Sequence, residues 1–284
     1  ERGQMGRQEN IEIFEDTQRM YKTNVRLIEA IKRSAKEQQL FKSDCQITEE
    51  RQRSAVPPAK ICVSAKRTLE AASAYAYTGK KVCVLNFASA TNPGGGVTRG
   101  SSAQEEAICR CSTLFPNLNE QRMWNNFYNP HRRQHNPLHN DDCIYTPGVI
   151  AFKSDTNNPK LLPEEKWYSV NVLTCAAPNL REKPSNGMNS GDGNASVHVS
   201  REELQALHEK RMRKVLEIAA NKENDVVILG AFGCGAFCNP PLIVAQAMKN
   251  VVQEFQTCFD TIEFAVYCSP RDDSNYRVFK KIFG

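Results

Sequence analysis

Short apolar runs alternate with helix-patterned segments over most of the chain, and this alternation restricts the fold more than any other feature. KICVSA (60–65) reads as a strand, RTLEAASAYAY (67–77) as a helix, and KVCVLNFA (81–88) as a buried strand apolar on both faces. CIYTPGVIAF (143–152), WYSVNVLTCAA (167–177), DVVILGAF (225–232) and TIEFAVYC (261–268) read as further strands. Helices are expected over about 201–220, 241–256 and 273–282, with Ser200 as the cap ahead of Arg201, Glu202 and Glu203. The pattern predicts an α/β sandwich of three layers, with a mixed central sheet covered on both faces.

The residues before this region follow another pattern. From about Glu9 to Leu40 the chain is charged and helix-prone, and Phe14, Tyr21, Val25 and Ile28 recur at helical spacing as a narrow apolar face. Ala55-Val56-Pro57-Pro58 ends the helical character. The expected organisation is a helical extension over 1–57 and one large domain over 58–284, a size that fits 284 residues at 40% hydrophobic and 24% charged.

Composition excludes several function classes. No apolar run approaches the roughly 20 residues that cross a bilayer, and ERGQMGRQEN lacks the basic-then-apolar order of a secretory signal. Without an initiator methionine, upstream residues are expected to be missing. A net charge of +5 and a pI near 8.6 help to attract a polyanion but fall short of a nucleic-acid binder's concentrated basic face. Eleven cysteines, with only Cys109/Cys111 and Cys234/Cys238 closely spaced, fit neither a disulfide framework nor a CxxC zinc site. Free thiols in a reducing cytoplasm are expected, with Cys62, Cys83, Cys175, Cys258 and Cys268 packed as small hydrophobes. A monomer with no membrane or specific nucleic-acid partner is the matching expectation.

Two segments read as irregular. Pro178 to Ser200, rich in Asn, Ser and Gly, reads as a mobile, solvated surface loop. Asn125 to Asp142 carries His131, His135 and His139 four residues apart, but Pro130 and Pro137 interrupt the helix that would align them. A loop is favoured there over a metal site, and no metal or cofactor is expected.

The segment that carries chemistry runs from strand to glycine loop to helix, KVCVLNFASATNPGGGVTRGSSAQEEAICRC. Gly94, Gly95 and Gly96 allow a sharp turn and close backbone approach. A helix starting near Ser101 or Ser102 turns its free N–H groups and positive dipole end to the same place, which favours a phosphate. Neither the GxGxxG fingerprint nor the Walker pattern fits the spacing, since Arg99 stands where a glycine is needed and no GK precedes Ser or Thr. In Gln104-Glu105-Glu106, Glu105 can close a capping box with Ser102, whereas Glu106 lies about 100° further round the helix and is unexplained by the cap. A second glycine loop, GAFGCGAFCNPP from Gly230 to Pro241, follows the strand DVVILGAF. It reads either as a tight connection or as the other wall of one crevice at the carboxyl ends of parallel strands.

GGGVTRGSSAQEE, with seven residues between the glycines and QEE, resembles the poly(ADP-ribose) glycohydrolase signature GGG-x(6–8)-QEE. NFASATNPGGG looks like the bacterial-type branch of that family, and GAFGCGAFCNPP is similar to its diphosphate-side loop. The resemblance runs from about Ile61 to the C-terminus. It implies a macrodomain-like fold with ADP-ribose across the strand ends. Gly94, Gly95, Gly96 and Val97 would then line the distal ribose and diphosphate, Gly233, Cys234, Gly235, Ala236 and Phe237 would wrap the diphosphate and distal ribose, and Tyr267 would touch adenine. Gln104 belongs to the same binding set, Glu105 would hold ribose hydroxyls, and Glu106 would be the catalytic acid and base. Many macrodomains carry asparagine three residues beyond the position of Asn86, where this chain has Ser89, so Asn92 or another group must hold the distal ribose.

Glu105 and Glu106 are adjacent on one helix and are expected to diverge, too poorly placed to flank a glycosidic bond as the usual carboxyl pair does. One carboxyl would therefore serve twice, and the implied substrate is poly(ADP-ribose), with ADP-ribose as product. A module that binds ADP-ribose without hydrolysing it is the rival from another class, and a hydrolase for mono-ADP-ribosylated protein is a third reading. Two vicinal carboxylates beside an anionic ligand favour the enzyme.

Overall fold

In the computed structural model, which describes residues 2–47 and 57–284, the expected strands join one seven-stranded sheet. The sheet's strands are β1 (Gln39–Phe41), which was not expected, and β2 (Lys60–Ser64), β3 (Val82–Phe87), β4 (Cys143–Ala151), β5 (Tyr168–Cys175), β6 (Val226–Leu229) and β7 (Thr261–Ala265). Their spatial order is β1-β4-β5-β3-β6-β7-β2. Neighbours from β5 to β2 run parallel, whereas β4 and β1 add antiparallel at one edge. The helices are α1 (Arg2–Thr23), α2 (Val25–Glu37), α3 (Thr68–Ala76), α4 (Gln104–Cys111), the short α5 (Leu114–Leu118), α6 (Gln121–Met123) and α7 (Asn129–Gln134), then α8 (Arg201–Asn221), α9 (Pro241–Val252) and α10 (Ser274–Phe283).

Alternation along the central strands separates two cores. Val82 and Val84 of β3 pack with Leu69 and Ala72 of α3 and Ile108 and Cys109 of α4. Cys83 and Leu85 face the opposite layer, with Met212 and Val215 of α8, Val244 and Met248 of α9, and Phe279 of α10. Period-two alternation with both faces apolar is what a fully covered parallel strand requires, so the mixed three-layer α/β architecture agrees with the sequence reading. The Ser200 cap also forms, as a capping box with Glu203. Among the described residues no helix is long and apolar enough to cross a membrane.

The N-terminal apolar face is only half as expected. Phe14 and Tyr21 are buried, but Val25 is 72% exposed and Ile28 half-buried. Asn24 interrupts the helix, accepting the Leu27 N–H on its side chain at 3.1 Å, and the second helix restarts in a new phase that buries Leu27, Ala30 and Ser34. The chain then forms the short edge strand β1, where sequence pattern predicts helix up to Leu40. The expected break falls partly outside the described residues, at Ala55 and Val56.

Helix α1 docks on the segment that follows the first glycine loop. The Phe14 ring meets Phe115 edge-on at 5.2 Å. Asn10 donates to the Gly100 carbonyl at 3.0 Å and Thr17 to that of Arg110 at 2.5 Å. A Cβ on Gly100 would collide with the Arg7 carbonyl oxygen, at φ +81°. Gly79 has the same φ with nothing near its missing Cβ, so it isolates the backbone strain from the collision. Gly79→Ala is expected to cost about 1 kcal/mol and Gly100→Ala about 2 kcal/mol or more in urea unfolding. Equal losses would show that α1 is not seated on Gly100.

Candidate active site

Both glycine loops leave the carboxyl ends of adjacent parallel strands, β3 and β6, and open onto one cavity of about 440 Å³. Helix α4 starts at its floor. Gln104 staples that start to β3: its amide oxygen accepts the Phe87 N–H at 2.8 Å, and its nitrogen donates to the Leu85 carbonyl at 2.7 Å and to Thr68 Oγ1 at 3.0 Å. The capping box does not form. Ala103 is the N-cap without a side-chain bond, and Glu105 turns inward instead, accepting from Asn86 Nδ2 at 2.8 Å and the Ser89 N–H at 2.9 Å.

The two carboxyl groups converge despite their angular separation on the helix. Glu106 Oε1 accepts the Gly96 N–H at 3.0 Å. A Cβ on Gly95 would lie 2.6 Å from Glu106 Oε1 and 3.2 Å from Glu105 Oε1, so the glycine, at φ +60°, is what makes room for both. Burial, reinforced by the charge of Glu106, pushes Glu105 up to about 8. Burial also raises Glu106, opposed by the Gly96 and Glu106 N–H groups and by Arg110 one turn on. Both shifts run toward the protonated form, so the pair resists carrying two negative charges.

The other expected residues divide between cavity wall and support. Gly95, Gln104, Gly233, Gly235, Ala236, Phe237 and Tyr267 line the cavity with the two glutamates. Gly94 does not; a Cβ there would fall 2.8 Å from the Phe115 ring. Gly96 reaches the site through its N–H, Val97 is wholly buried in the core, and the half-buried Cys234 lies behind the wall. Among the described residues, the N–H groups of Gly235, Ala236 and Phe237, all three on the cavity wall, find no acceptor within the chain. The Arg67 guanidinium lies 4.2 Å from the centre of the Tyr267 ring, a cation held over one ring face.

The cavity also contains residues that pattern reading missed. Arg67, Asp155, Arg181 and Asn275 line it, as do Met188 and Asn189. The last two overturn the reading of 178–200 as a solvated loop. That segment has no regular structure, yet Asn179, Asn189 and Asp192 are buried and paired. Ser89 donates to Asn189 at 2.8 Å, Asn179 and His139 meet the Asp192 carboxylate at 2.9 Å each, and Arg99 donates to the Gly187 carbonyl. Polar composition suggested water; here the polar groups bind one another and strap the segment over the first glycine loop. The histidines are likewise differently placed, since Pro130 sits in the first turn of α7, where proline is tolerated, and His131 lies on that helix. Among the described residues no group of three or more His, Cys, Asp or Glu could hold a metal ion. All eleven cysteines are free.

A search of curated proteins finds no match. Among solved structures, poly(ADP-ribose) glycohydrolase of Thermomonospora curvata bound to the inhibitor ADP-HPD is 28% identical, with a TM-score of 0.79 over 96% of this chain and 98% of that one. The enzyme of Deinococcus radiodurans in complex with ADP-ribose is also 28% identical, with a TM-score of 0.71 over 89% of this chain and 96% of that one. The family described as microbial-type PARG, catalytic domain, matches residues 8–154, which include the first glycine loop and both glutamates. The chain therefore belongs to the microbial-type poly(ADP-ribose) glycohydrolase family.

Proposed function

We propose that this chain hydrolyses the ribose–ribose O-glycosidic bonds of poly(ADP-ribose), with Glu106 as the catalytic residue and ADP-ribose as the released product. The observation that carries the mechanism is the buried pair of carboxyls against Gly95 at the floor of the cavity. Glu105 accepts two hydrogen bonds from the chain. Burial and the charge of Glu106 raise its carboxyl before substrate arrives, but ribose hydroxyls donating to it on binding would favour its anion and leave the one proton of the pair to Glu106. Glu106 then carries the shared proton. It gives this proton to the ribose 2′-oxygen as the bond from that oxygen to the distal C1″ breaks, leaving an oxocarbenium ion. Water adds to C1″ and returns a proton to Glu106, which restores the acid. The free N–H groups of Gly235, Ala236 and Phe237 would hold the diphosphate, whose charge helps to stabilise the cation.

Acid, base and cation stabiliser are all supplied by the protein and substrate, so the reaction needs no metal. The 1–57 segment acts as a structural extension of the 58–284 catalytic domain, since α1 supports the first glycine loop from outside the cavity. Eleven free thiols fit a reducing cytoplasm. Product analysis in EDTA with poly(ADP-ribose) and with mono-ADP-ribosylated protein tests the reading. Release of ADP-ribose from the polymer is expected. Release only from the mono-modified protein would reassign the substrate, and activity that needs an added divalent ion would overturn the metal-free scheme.

A further inference from the structure

The second glycine loop owes its shape to two buried side chains outside the cavity, Asn239 and His208. Asn239, at the end of the loop, is 2% exposed. Its Nδ2 donates to the Pro178 carbonyl at 2.7 Å and the Gly233 carbonyl at 2.9 Å, with a longer contact of 3.4 Å to that of Phe237. Its own N–H also binds the Gly233 carbonyl, at 2.9 Å. One amide group thus ties the start of the loop to its end, and ties both to the segment after β5.

With the amide nitrogen committed to carbonyls, Asn239 Oδ1 must accept. It meets His208 Nε2 at 2.8 Å. His208 lies on α8, fully buried, and its Nδ1 has no hydrogen-bond partner. Only the neutral ring with its proton on Nε2 satisfies this arrangement, because a proton on Nδ1 would be buried without an acceptor. Burial, with Arg211 nearby, pushes His208 down to about 4, so the ring stays neutral across the working range of pH. The Nε2 proton fixes the amide orientation, and the amide fixes the loop.

We propose that His208 and Asn239 are positioning residues for the diphosphate, holding the N–H groups of Gly235, Ala236 and Phe237 in their binding arrangement before ligand arrives. This rests on the proposed binding of ADP-ribose across both loops. Donors aimed in advance bind a charge without the cost of rearranging, so the pair should affect the outer phosphate and distal ribose more than the adenosine end. A purely structural role would weaken every ligand alike.

The test compares ADP-ribose with AMP, which lacks the outer phosphate and distal ribose, by calorimetry on the full chain. Asn239→Ala is expected to weaken ADP-ribose about tenfold or more, the size expected when buried polar groups lose their partner, and AMP by less than about threefold. His208→Phe, which removes the donor at similar volume, should give the same selective loss. His208→Gln, which keeps an amide donor near the Nε2 position, should recover most of it. Equal losses for both ligands, or none in a folded variant, would overturn the assignment. A wild type that binds neither ligand would instead overturn the proposed function and this inference with it. If Asn239→Ala does not fold, the contrast between His208→Phe and His208→Gln decides.

Discussion

Glu106→Gln is expected to lower turnover of poly(ADP-ribose) by about 100 to 10,000-fold, the usual worth of a general acid and base. Glutamine keeps the length and can still accept the Gly96 N–H, so the loop should stay in place while the transferable proton is lost. The pH profile supplies a second sign. Burial holds Glu106 above the ordinary glutamate value, so its acid form persists to higher pH than in an exposed glutamate. Activity is present below this raised pKa and is lost as pH rises through it. The limb belongs to the pair with Glu105 and should be absent from the residual activity of Glu106→Gln. An unchanged limb in that variant would assign the titration elsewhere.

Gly95→Ala should be nearly as damaging without removing any reactive group. The new methyl would stand 2.6 Å from Glu106 Oε1 and 3.2 Å from Glu105 Oε1, in a loop whose φ of +60° already strains any other residue. Either the loop or the carboxyls must move, and a displacement of about 1 Å at a reacting centre costs on the order of 100-fold in rate. Binding of ADP-ribose should weaken as well, since the same shift disturbs the Gly96 N–H and the cavity floor. Initial rates and calorimetry on the purified variant measure both. Near wild-type turnover in a folded Gly95→Ala protein would contradict the placement of the two carboxyls against this glycine.

The parts legible in the sequence were those fixed by local pattern. Strand β3 reads correctly because a central parallel strand must be apolar on both faces, and the two glycine loops read correctly because each follows such a strand. The inward turn of Glu105 was hidden, since Ser102 three residues earlier offers a local cap that competes with Asn86 and Ser89, partners that only the fold brings close. The strap over 178–200 was hidden for a similar reason. Asn179, Asn189 and Asp192 look hydrophilic one by one and become buried only as a mutually bonded set. Asn24 concealed the phase change between α1 and α2, which left Val25 assigned to the wrong face. Asp155 and Arg67 carried no motif at all; position beside the strand ends was the only signal.

Binding and chemistry separate in one pair of proteins. Calorimetric titration with ADP-ribose and initial-rate hydrolysis of poly(ADP-ribose) are measured on wild type and Glu106→Gln under the same buffer. Affinity for ADP-ribose is expected to change by less than about threefold, because a neutral amide beside the anionic ligand adds no repulsion, while hydrolysis falls by at least about 100-fold. A Glu106→Gln protein that still hydrolyses the polymer at the wild-type rate would contradict Glu106 as the acid and base.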